Sequence, residues 1–125
     1  MEKQIKNWLE HAQSDLAAAH NSLKSKNFDW ACFQAQQAVE KGLKAVYIKF
    51  HNRLFKIHDL VKLAREIKAP PGVIEKCSKI NPVYFEVRYP EGDELPAEKI
   101  SEQKTKELII VKILRIRTGF LDIVR

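Results

Sequence analysis

A chain of 125 residues is large enough to bury one core of its own, so a single domain spanning residues 1–125 is expected. Its composition, 45% hydrophobic and 30% charged with four Gly and five Pro, is that of a soluble globular protein, and no repeat or low-complexity tract interrupts it. The formal charge of +6 points toward anionic partners, while the longest apolar runs, Ala45–Ile48 and Leu108–Val111, are four residues long and exclude a membrane span.

The first element reads as a helix because Ile5, Trp8, Leu9, Ala12, Leu16, Ala19 and Leu23 recur at steps of three and four. After the break "KSKN", Asn27 is a candidate N-cap for a second helix from Phe28 to Phe50. Small residues at Ala31, Ala35, Ala38 and Gly42 leave part of that helix free of bulk, so a neighbour can approach closely there. Gln36, Glu40 and Lys44 form a separate polar row at four-residue spacing. "HNRLFKIHDL" is a loop leading to a third helix over Asp59–Ile67, with His58 or Asp59 as its cap. "APPG" ends that helix, and a fourth is expected from Val73, kinked or divided at Pro82. "PEGDELP" is a solvent-facing loop, and the last helix runs from Ser101. In its second half Lys112, Arg115, Gly119 and Asp122 make one narrow polar stripe. So much apolar circumference implies burial on two sides, the domain core on one and a second subunit on the other, the rival reading being a helix central to its own bundle. The expected fold is all-α, an up-and-down bundle of four to five helices.

Charge is unevenly spread. From Lys41 to Lys68 eight basic residues face only Asp59 and Glu66, an excess equal to the whole chain's. Dispersed lysines of this kind read either as a solvated face or as a site for phosphates. Cys32 and Cys77 are far apart, with no CxxC or Cys/His cluster, which reads as two small core residues in a reduced compartment. No metal site and no cofactor is expected. The N-terminus "MEKQIKNWLEHA" has no apolar signal core, and a cytoplasmic location is expected.

Three segments in order, "FDWACFQAQQAVEKGLKAVYI" (Phe28–Ile48), "HDLVKLAREI" (His58–Ile67) and "YFEVRYP" (Tyr84–Pro90), resemble the HEPN domain. The resemblance covers nearly the whole chain and implies a small helical bundle that commonly forms homodimers. In prokaryotes such proteins are often encoded beside a minimal nucleotidyltransferase, as toxin–antitoxin-like pairs. Many members are metal-independent ribonucleases carrying an arginine followed, after four to six residues, by a histidine. Other members bind nucleotides or partner proteins.

Arg88 matches the arginine by context, but the positions where the histidine belongs hold Asp93, Glu94 and Leu95, and no histidine follows His58. Cleavage at a 2′-OH needs a group that both accepts and donates a proton near neutral pH, which a histidine with a pKa of ~6.5 does. An exposed carboxylate is ionised at pH 7 and makes a poor acid, and the acidic run Glu91, Asp93, Glu94 repels an RNA backbone. The expectation is a non-catalytic HEPN-type homodimer that binds a nucleotide or a nucleotidyltransferase partner. Arg88 then grips phosphate, Tyr84 or Tyr89 stacks on a base, and Lys44 floors the site. Tyr89 is also the candidate acceptor should a partner modify the chain. The rival expectations are a divergent HEPN ribonuclease and a basic module that binds RNA without cleaving it.

Overall fold

A computed structural model of the chain describes residues 2–81. The Pro82 kink, Tyr84, Arg88, Tyr89, the acidic loop and the helix expected from Ser101 lie outside the described residues.

Four helices follow one another: α1 (Glu2–Lys24), α2 (Phe28–His51), α3 (Leu60–Glu66) and α4 (Pro71–Ile80). Among the described residues there is no strand. Each element lies close to where its periodicity and caps place it. Two adjustments stand out. Asn27 occupies the N-cap position of α2 but makes no side-chain cap bond. Pro71 begins α4 instead of merely closing α3, because a proline at the first helical position lacks an N–H that would have no intrahelical partner anyway.

α1 and α2 form an antiparallel hairpin, since Ser22 meets Gln34, Asp15 meets Lys41 and Trp8 meets Lys44 as numbers rise on one helix and fall on the other. Ala19 of α1 packs with Ala31 and Ala35 of α2, all fully buried, so the small-residue stripe does bring two helices together. The main core gathers Leu16, Leu43, Val46 and Tyr47 with Leu60 and Leu63 of α3, Ile67 just after it, and Val73, Cys77 and Ile80 of α4. Cys32 and Cys77 are both buried and form no disulfide. Phe50, where the second helix is expected to end, is 48% exposed near the end of α2.

Three helices end on a non-glycine residue in the left-handed region. Lys26 (φ 62°), Asn52 (φ 52°) and Lys68 (φ 55°) take this role. After α1, Asn27 N–H donates to the Ser22 carbonyl and Lys26 N–H to that of Leu23; after α3, Ala69 and Lys68 repeat the pattern onto Ala64 and Arg65. These are paired closing bonds that satisfy carbonyls left over at a helix end. α3 thus stops before "APPG" is reached.

Candidate functional site

α2 is buried on nearly its whole circumference between Ala31 and Ile48, and that burial includes the polar row. Gln36, Glu40 and Lys44 are 0%, 3% and 5% exposed, where helical patterning by itself assigns such a row to solvent. Buried charges are tolerated when they are paired. Lys44 Nζ lies 3.3 Å from Glu40 Oε2 and 5.5 Å from the centre of the Trp8 ring on α1. Among the expected ligand-binding residues Lys44 alone falls within the described part, and its ammonium is turned to Glu40 and Trp8. Gln36 Oε1 accepts from Gln37 Nε2 at 2.7 Å, while Gln36 Nε2 is buried with no hydrogen-bond partner among the described residues.

His58 completes this cluster from the loop before α3. Its Nδ1 lies 3.0 Å from both Glu40 oxygens. A carboxylate only accepts, so Nδ1 carries the proton of that bond. The Glu40 side chain is 4% exposed and the His58 side chain 60%. Of the two capping candidates read from sequence, Asp59 makes the cap and His58 turns away from it toward α2. Asp59 Oδ1 accepts from Val61 N–H and Lys62 N–H, and from Asn81 Nδ2 at the end of α4. Asn81 Oδ1 in turn accepts from Leu60 N–H, so one side-chain pair ties α3 to α4. Partial burial pushes the Asp59 carboxyl up. The bonds from Lys62, Asn81 and Val61, with the Lys62 charge, outweigh it and hold Asp59 below the ordinary carboxylate value.

The basic segment divides in two when folded. Lys41 is paired with Asp15 of α1 and Lys44 with Glu40, so neither is part of an open patch. Lys49, Arg53, Lys56, Lys62, Arg65 and Lys68 are all exposed. They belong to the end of α2, the following loop, α3 and the turn that closes it. Tyr47 packs against Phe55 with ring centres 4.8 Å apart, which folds the loop back on α2. His51 Nε2 donates to the Glu66 carbonyl at 3.0 Å, which joins the ends of α2 and α3. These contacts hold the loop and the end of α3 against the C-terminal half of α2, which carries one of the six cations. His51 is exposed but has that nitrogen engaged.

Sequence spacing cannot reveal the Glu40–His58 contact, because the two residues are 18 apart on different elements. A glutamate and a lysine four residues apart on α2 are the available signal, and spacing alone reads them as a surface pair.

Among the described residues no helix is long and apolar enough to cross a membrane, and no group of His, Cys, Asp or Glu is arranged to hold a metal ion. A model of the HEPN domain matches residues 5–115. The structure is similar to that of TT1696 from Thermus thermophilus, with a TM-score of 0.83 at 24% identity over 91% of this chain and 94% of that one. It is also similar to ST0689, an archaeal HEPN homologue, with a TM-score of 0.79 at 23% identity over 95% of this chain and 97% of the other. No curated protein sequence matches the chain.

Proposed function

The chain belongs to the HEPN domain family, and from that premise we propose that it is a non-catalytic member that binds a nucleotide or a protein partner. The partner proposed is a minimal nucleotidyltransferase, in a toxin–antitoxin-like pair, with the HEPN chain acting as a homodimer. The observation that carries the non-catalytic reading is the incomplete motif, in which Arg88 is followed by Asp93, Glu94 and Leu95 where the histidine belongs. Elsewhere, at the α2–α3 end, His51 Nε2 is engaged with Glu66 and His58 Nδ1 with Glu40. Arg88, Tyr84 and Tyr89 remain the residues assigned to the ligand.

The test is a cleavage assay on single-stranded RNA with purified full-length protein, run beside a nucleotide titration by calorimetry. No cleavage is expected, with saturable nucleotide binding that Arg88→Ala abolishes. Cleavage that disappears in Arg88→Ala would overturn the reading and favour the divergent ribonuclease.

A second reading, a basic module that binds nucleic acid without cutting it, is supported by the six exposed cations between Lys49 and Lys68. If most of them meet phosphates, log K should fall against log salt with a slope of about −4. Reversing Lys62 and Arg65 to glutamate should flatten that slope. Binding that ignores salt removes this reading.

A further inference from the structure

We propose that the exposed ring of Phe50 is a stacking platform for one unpaired base of a single-stranded nucleic acid, whose phosphates the neighbouring cations hold. The proposal rests on the reading of the chain as a basic nucleic-acid-binding module and adds the kind of strand, and the side chain, that such a module would use.

The last turn of α2 and the loop after it present this ring. Tyr47 lies ring against ring with His51, 4.3 Å between centres, and with Phe55, 4.8 Å. Asn52 closes the helix in the left-handed conformation, its N–H donating to the Ile48 carbonyl. Phe50, turned about 100° around the helix from His51, does not join that group. Among the described residues it has no ring partner and belongs to neither core cluster, and it is 48% exposed.

Cations border it on both sides. Lys49 precedes it and Arg53 and Lys56 follow, all exposed. No acidic residue stands between Glu40 and Asp59, and from Lys49 to Lys68 six cations face two acids. One of these acids, Asp59, is directed to Val61, Lys62 and Asn81. The other, Glu66, reaches this turn through the carbonyl that meets His51, with Arg65 beside it in sequence.

A single strand offers two kinds of group, charged phosphates and flat base faces. Exposed lysine and arginine meet the first and an exposed aromatic ring the second. In a duplex each base face is already covered by its neighbour, so the ring gains nothing there. A lipid surface suits this patch less well. The large hydrophobic side chains exposed among the described residues are Phe50, Leu54 and Trp30, and Trp30 lies near the opposite end of α2. A helix lying on a membrane needs an apolar face along its length.

The experiment titrates the full-length protein against labelled strands of about twelve nucleotides, followed by fluorescence anisotropy. The strands are oligouridine RNA, oligothymidine DNA, an abasic strand with the same phosphates, and a duplex. At least one of the two base-bearing single strands should bind about tenfold tighter than the abasic one, the margin of one stacked base, and that result names RNA, DNA or both as the ligand. Phe50→Leu should erase the margin and Phe50→Tyr should keep it. Neither should change binding to the abasic strand or the duplex. Equal binding of base-bearing and abasic strands, or a loss that Phe50→Tyr shares, overturns the stacking role and leaves the basic-module reading standing. No binding to any strand removes both. Tighter binding to anionic phospholipid vesicles than to the base-bearing strands assigns the patch to a membrane and also overturns the proposal. The wild-type contrast between base-bearing and abasic strands decides the matter even if a Phe50 variant fails to fold.

Discussion

Replacing Glu40 with alanine removes the carboxylate that both Lys44 and His58 bind. Lys44 is 5% exposed, so its ammonium cannot simply turn to water. Taking one member out of a buried pair costs about 3–5 kcal/mol, because the remaining charge stays desolvated and unpaired. The Trp8 ring, 5.5 Å from Nζ, offsets part of this through its π face, on the order of 1 kcal/mol. The expected loss is therefore about 3 kcal/mol, or roughly 10 °C in Tm for a domain of this size. Two internal comparisons sharpen the measurement. Lys6–Glu10 and Glu75–Lys79 have the same four-residue spacing, but their side chains are at least 62% exposed. Glu10→Ala should then cost less than about 0.5 kcal/mol. Removing both buried charges together, Glu40→Leu with Lys44→Met, should recover most of the loss, since no desolvated charge remains. Urea unfolding with an unchanged m value is the assay. If Glu40→Ala lies within about 1 kcal/mol of the wild type, or the double variant is worse than the single one, burial does not govern the energy of this pair.

The cap of α3 carries a pH dependence. Asp59 has its folded-state pKa held below the unfolded value, so its contribution is present above about pH 4 and is lost as pH falls through the folded value. Asp59→Asn keeps a capping oxygen but cannot titrate, so the difference in urea midpoint between the two proteins should shrink as pH drops from about 5 toward 2. A difference constant across that range contradicts the assignment. At the end of α1, Lys26 sits at φ 62° with its side chain exposed. Lys26→Gly should stabilise the protein by about 0.5–1 kcal/mol in the same assay, because glycine takes this conformation without the steric penalty of a Cβ. A destabilised variant would count against strain at that turn.

The four described helices were legible because their signals are local. Leucine and alanine at steps of three and four marked α1, small residues marked the close face of α2, and Asp59 before "LVKL" marked the start of α3. The family was legible as well, from three soft motifs in the right order, and the match over residues 5–115 bears it out. The candidate site was legible only in part. Lys44 and its row were visible as polar residues on a helix, but periodicity records which residues share a face and says nothing of what covers it. The missing histidine after Arg88 was plain from the sequence, whereas the pairing of His58 with Glu40 depends on a loop folding back over α2.

What the sequence determined by itself, then, was helix positions and caps, set by neighbours within a turn or two, and the family, set by the order of three segments along the chain. Tertiary structure alone decided that Glu40 and Lys44 are interior, that Lys41 is paired with Asp15, and that the six remaining cations of the basic segment stay exposed. Burial and charge pairing arise between elements far apart in sequence, and the free energy of an ionic group depends on that surrounding more than on its own residue type.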